Sequence, residues 1–109
     1  MPVLIVLTNV PDALVADRLA TQLVEQGYAA CVNILAPCAS IYRWQGGVER
    51  SAEIPLLIKT TQLHYAAVES TIRKLHPYEL PEIIAVPVTQ GSPAYLAWVE
   101  SATTGQIQA

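Results

Sequence analysis

His76, Tyr78, Glu79 and Glu82 crowd into one short segment, Leu75-His76-Pro77-Tyr78-Glu79-Leu80-Pro81-Glu82. Two prolines fix its backbone while it presents an imidazole, a phenol and two carboxylates, and binding sites are often built on such rigid loops. A stiff helix-to-strand turn would use the same residues. For a soft or borderline metal the donors are Cys31, Cys38, His64 and His76. No CxxC or HExxH occurs. His64 and His76 fall on one predicted helix, about 18 Å apart at ~1.5 Å rise per residue, and cannot share an ion within a subunit. Cys31 with one of the two histidines is the remaining metal pair, if the fold brings them together. The plainer reading of the spacing is a half-buried strand cysteine and two partly exposed histidines. Glu53 and Lys59 share a strand face about 20 Å apart, at ~3.3 Å per residue, so each must be matched elsewhere, by an interface ion pair or by a ligand. The chain has no nucleophile elbow, phosphate-binding glycine loop or close carboxylate pair. An enzyme is therefore not expected.

These groups are positioned by Ser40 to Thr61, SIYRWQGGVERSAEIPLLIKTT, in which two alternating runs flank Gly46-Gly47. A Gly-Gly pair supplies the positive φ of a two-residue primed turn, which would pair Gln45 with Val48, Trp44 with Glu49 and Tyr42 with Ser51. One face then carries Tyr42, Trp44, Glu49 and Glu53; the other carries Ile41, Ala52, Ile54, Leu56 and Ile58. The arm upstream of the turn begins near Tyr28, giving about 55 Å of strand at ~3.3 Å per residue. Such a hairpin outreaches a domain whose radius of gyration is ~13 Å. Projecting apolar edges aggregate unless paired, so a closed homo-oligomer is expected.

The remaining elements are short. Val3 to Thr8 is an apolar central strand. Pro11-Asp12 opens a helix from Leu14 to Gln26 with Val15, Leu19 and Leu23 on one stripe, and Gly27 stops it. Pro55 must face a sheet edge or a bulge, because proline cannot donate to a ladder. Thr60-Thr61 caps a second helix over Gln62 to Leu75, ended by His76-Pro77. Glu82 to Val88 forms the last strand, Ser92-Pro93 starts a terminal helix, and a polar, frayed tail follows Ser101. The order β-α-β-β-α-β is the ferredoxin-like α+β plan, an antiparallel sheet with two helices on one face. Its uncovered face is apolar enough to need a partner.

The 109 residues are 52% hydrophobic, enough for one core and one domain, 1–109. Only 14% are charged, as suits an obligate oligomer. A net charge of −3 with six scattered Lys and Arg leaves no footprint for nucleic acid. The opening MPVLIVLT lacks a basic lead and reads as a strand, not a signal peptide; no run is long enough to span a membrane. Cys31 and Cys38, in one extended stretch, are expected to be free thiols in a cytosolic setting.

Five blocks in order now resemble one family: Ala29-Ala30-Cys31-Val32-Asn33-Ile34; Tyr42-Arg43-Trp44-Gln45-Gly46; Glu53 with Ile58-Lys59-Thr60; His76-Pro77-Tyr78-Glu79 with Pro81-Glu82-Ile83-Ile84; and Tyr95-Leu96-Ala97-Trp98. From Val3 to about Ala102 the chain is similar to the CutA divalent-cation tolerance family. The resemblance implies a cytoplasmic homotrimer of ferredoxin-like subunits, packed like the PII signalling trimers, with a role in tolerance to copper and other divalent cations. It carries over Cys31, Tyr42, Trp44, Glu53, Lys59, His76, Tyr78 and Glu79. Cys31 and His76 are then the candidate ligands for Cu²⁺ or another divalent cation. In some members copper binding is associated with a first-strand cysteine and a His-His pair before the Pro-Tyr, where this chain has Thr8 and Leu75. An intersubunit cleft joining Tyr42, Trp44, Glu53, Lys59, His76, Tyr78 and Glu79 would suit a small polar or anionic molecule better than a naked soft cation. A PII-like signalling or scaffold trimer with no metal role is the alternative.

Overall fold

The computed structural model describes residues 2–107. Its strands are β1 (Val3–Val10), β2 (Cys31–Ile34), β3 (Cys38–Trp44), β4 (Gly47–Thr61) and β5 (Ile84–Pro87). Its helices are α1 (Ala13–Glu25), α2 (Tyr65–Leu75) and α3 (Pro93–Ala102). The sheet runs β2-β4-β1-β5, with β3 also on β4, and every pairing is antiparallel. This is the split β-α-β expected of the order.

One face of the sheet is dry. Val6, Val10, Leu56 and Ile58 pack there against Ala16, Leu19 and Leu23 of α1 and Val68 and Ile72 of α2. Each such aliphatic side chain contributes ~1.5–3 kcal/mol by leaving water. The stripe on α1 follows from its i, i+4 spacing, and the Asp12 side chain caps it by accepting from the Val15 N–H at 2.9 Å. Gly27, at φ 73°, ends it. On the opposite face Ile84 and Val86 of β5 stay exposed beside half-buried Ile5, Leu7 and Leu57.

The hairpin turn sits one residue earlier than the Gly-Gly pair predicts. Gln45 and Gly46 both take positive φ, 48° and 83°, and Trp44 pairs with Gly47, Tyr42 with Glu49 and Cys38 with Glu53. Tyr42 and Ser51 stand diagonally in this register, and their hydroxyls meet at 2.8 Å. A slip of two in pairing preserves side-chain parity, so Tyr42, Trp44, Glu49 and Glu53 still share one face.

Pro55 lies where β2 gives way to β3. Ile34 pairs with Leu56 and Cys38 with Glu53, so three residues oppose two, and the missing N–H of Pro55 falls in that break. The Pro55 carbonyl accepts from Leu35 N–H there at 3.0 Å. Outward of Ile54, β4 has β3 on one edge and no strand on the other, which draws the molecule out to 44 Å along its longest axis.

Three smaller readings are corrected. β4 continues through Thr61, and a 3-10 turn over Gln62–His64 precedes α2, because the threonines are used elsewhere: Thr60 donates to the Tyr28 carbonyl and Thr61 meets His64. The last strand is Ile84–Pro87 alone. The chain beyond Ser101 is tied down as far as Gly105, whose N–H donates to Gly27 and whose carbonyl accepts from His64 Nε2 at 3.0 Å.

Candidate functional site

At the root of the hairpin, where β4 leaves β1, the segment after α2 crosses in front of the sheet and closes a cleft of about 930 Å³. Tyr42, Trp44 and Ser51 line it from the hairpin, Glu53 from β4, Asn9 from the end of β1, and Tyr78, Glu79 and Glu82 from the crossing segment. Strand parity brings the first group to one face; Pro77 and Pro81 shape the second. Glu53 is the most enclosed of these, only 8% exposed. Burial, followed by the Glu53 carboxylate, pushes the Tyr78 phenol above its ordinary range. Asn9 Nδ2 donates to Glu82 Oε1 at 3.4 Å.

His76 stands behind this cleft and does not line it. Pairing between β1 and β5 ends at Leu7 with Ile84, and His76 Nε2 donates to the Asn9 carbonyl beyond that point at 2.6 Å. Nδ1 accepts from the Tyr78 N–H at 3.1 Å, which assigns the Nε2–H tautomer. The rings of His76 and Tyr78 lie 4.6 Å apart at 57°. Both nitrogens are engaged and the residue is buried, so it positions Tyr78 and is not presented to a ligand. His64 is buried as well, between Thr61 and Gly105. The expectation of partly exposed histidines fails because each caps backbone that no strand reaches.

Cys31 and Lys59 lie elsewhere within the subunit. They pair with each other across β2 and β4, on the open sheet face, and Lys59 Nζ donates to Asn33 Oδ1 at 2.5 Å. Six positions of β4, about 20 Å at ~3.3 Å each, separate Lys59 from Glu53. Cys31 and His76 are therefore not joint ligands in one subunit, and among the described residues no group of three or more His, Cys, Asp or Glu could hold a metal ion. The copper residues of the resemblance do not fit either. Thr8 offers a neutral hydroxyl on the helix-covered face, Leu75 offers no donor, and His76 has no free nitrogen. Thr8 Oγ1 is the one buried side-chain polar atom without a hydrogen-bond partner among the described residues.

The fold that carries the cleft is shared. Residues 4–102 match the family described as CutA1 divalent ion tolerance protein. The chain belongs to the CutA1 family. A divalent-cation tolerance protein CutA from Thermus thermophilus is 44% identical over 91% of this chain and 96% of its own length. The crystal structure of CutA from Xylella fastidiosa superposes with a TM-score of 0.91 at 42% identity, covering 94% of this chain and 99% of that one. A structure from Archaeoglobus fulgidus described as a periplasmic divalent cation tolerance protein CutA superposes at 0.89 and 31% identity, covering 93% and 98%. Two vertebrate CutA relatives are longer, and this chain spans 52% and 59% of them. No described helix of this CutA1 chain is long and apolar enough to cross a membrane.

Of the residues named from sequence, Tyr42, Trp44, Glu53, Tyr78, Glu79 and Glu82 meet in the cleft. Asn9, Ser40 and Ser51 were not foreseen. Asn9 could have been suspected as a polar residue closing an apolar strand; the serines carry no signal beyond lying on the face of Tyr42.

Proposed function

We propose that this chain acts in tolerance to divalent cations, copper among them, as a homotrimer that binds a small molecule at the hairpin-root cleft. The observation that carries this reading is the joining of Tyr42, Trp44, Glu53, Tyr78 and Glu79 in one cleft while Cys31 and His76 stay apart. Copper enters as the cation tolerated and not as a resident ion held by Cys31 and His76. The trimer is supported by the projecting hairpin, the open edge of β4 and the exposed apolar face of β5. Within it Lys59 of one subunit has the open sheet face from which to approach a neighbour's cleft. A binding role and not an enzymatic one is favoured because the hydroxyl pair of the cleft, Tyr42 with Ser51, is hydrogen-bonded to no imidazole, amine or carboxylate among the described residues. Two free cysteines favour the cytoplasm.

A PII-like signalling or scaffold trimer with no metal role is the second reading, favoured by the absence of a metal cluster among the described residues. Growth in copper of a strain lacking the gene separates the two. Rescue by the wild type and by Cys31→Ser, but not by Trp44→Ala, is the result expected of the first reading. Equal growth with and without the gene would leave the second. A monomer mass by light scattering at micromolar concentration would overturn the assembly.

A further inference from the structure

The two ends of the long axis carry exposed apolar surface of different kinds. At ~3.3 Å per residue β4 spans about the whole of that 44 Å axis, so its ends, Gly47 and Thr61, mark the poles. At the Thr61 pole lies α3. The chain comes to it from Val88, whose N–H donates to the Val3 carbonyl opposite Thr61, and leaves it to reach His64. The helix reads PAYLAWVESA, apolar almost all round; such a helix is ordinarily buried, yet here only Val99 is. Tyr95 and Trp98, three positions apart and so on one side, are 44% and 45% exposed, with ring centroids 5.6 Å apart.

The other pole is the hairpin. Ile41 pairs with Arg50 and Arg43 with Val48, so these four side chains share the face turned away from Tyr42 and Trp44. Val48 is 68% exposed and Ile41 61%, and among the described residues neither guanidinium has an ion pair or a hydrogen bond. Two aliphatic side chains and two unpaired arginines complement a half-exposed Tyr-Trp pair: the aliphatics bury against the rings and the guanidiniums stack on their faces. Trp, Tyr and Arg are also the types that dominate binding energy at protein interfaces.

We infer that the hairpin of one copy lies on α3 of the next, with Ile41 and Val48 against Tyr95 and Trp98 and with Arg43 and Arg50 stacked over those rings. The two surfaces stand at opposite poles of one subunit and cannot meet within it. The contact therefore joins copies head to tail, a heterologous arrangement that closes as a ring. Hairpin against hairpin is disfavoured, because it would set the arginines of one copy against those of another. The inference names the partner surfaces of the trimer proposed above, and it rests on that reading.

Cross-linking tests it in the full chain carrying Cys31→Ser and Cys38→Ser. With Val48→Cys and Tyr95→Cys combined, a short bismaleimide should carry the chain to covalent dimer and trimer on a denaturing gel, whereas either substitution alone should leave it a monomer there. Val48→Glu, at a position open to water within the subunit, should raise at least tenfold the concentration at which the assembly dissociates, read by light scattering, with the far-ultraviolet circular dichroism unchanged. Covalent dimers from Val48→Cys alone or from Tyr95→Cys alone would show that like surfaces meet, and would overturn the inference. A trimer mass with no cross-link in the combined variant and no shift in Val48→Glu would overturn it too, leaving the assembly in place with α3 covered in another way. A monomer mass for the wild type would remove both.

Discussion

His76 Nε2 donates to the carbonyl of Asn9, 67 positions earlier in the chain, at 2.6 Å. That bond fastens the segment after α2 to the end of β1 and so sets the distance between Tyr78 and Glu53. Replacing His76 by Ala leaves the part-buried Asn9 carbonyl and Tyr78 N–H without partners, and such losses cost ~1–3 kcal/mol each where water cannot compensate. Urea denaturation of His76→Ala should show destabilisation of about that size, and copper binding should not change with it.

Tyr78 reports on the cleft through its ionisation. Burial and then Glu53 raise its folded pKa, so the fold favours the neutral phenol; that stability is present below the ordinary tyrosine range and is lost as pH rises through the folded value. Glu53→Gln removes the second cause and leaves the first. Alkaline titration followed by NMR at Tyr78 should therefore move to lower pH in Glu53→Gln, and an unmoved titration would show that the two groups are not in contact.

The turn register has its own test. Gly46 has φ 83° with open space where a side chain would stand, whereas Gly47 needs no positive φ. Gly46→Ala should lose ~1–2 kcal/mol from the left-handed conformation alone, and Gly47→Ala should lose less. Equal losses in thermal denaturation would favour a turn centred on Gly46-Gly47.

The faces of the hairpin were legible from the sequence because parity needs only counting by twos. Its pairing was not, because two adjacent glycines allow two turns, and the chain takes the one in which Gln45 accepts a positive φ beside Gly46. The six cleft residues named from sequence were legible as types in the right segments. The role of His76 was not, since it depends on the Asn9 carbonyl that a short β5 leaves uncovered, and no local pattern announces the length of a distant strand. Lys59 stands apart from Glu53 within the subunit, as counting six positions along one strand already required.

The docked tail is a further such case. A side chain at Gly105 would come within 2.4 Å of the Gln26 carbonyl and 2.7 Å of the Tyr28 ring. Gly105→Ala should detach the tail from α1 and from His64, lowering the melting temperature and raising amide exchange at Thr103 and Gly105. Unchanged exchange would show that the contact is incidental.

Glu69 offers a surface control. The Tyr65 hydroxyl, then Arg73 at 3.2 Å, hold its carboxyl below the ordinary range. The stability it adds is present above the ordinary carboxylate value and lost as pH falls through the folded one. The difference between wild type and Glu69→Gln should shrink as the solution is acidified, and a constant difference would show that the charge is not involved.

The outer half of β4 also constrains the order of folding. Its pairs with β3 join residues 3 to 15 apart in sequence, whereas its inner half meets β1 across 44 to 58. Hairpins close in ~1–10 μs, and long-range pairings are slower because the loop must be closed first. The tip therefore exists, with one edge bare, before the core that should carry it. Neighbouring chains on a polysome or in a concentrated refolding mixture meet that edge first, so refolding yield should fall with protein concentration.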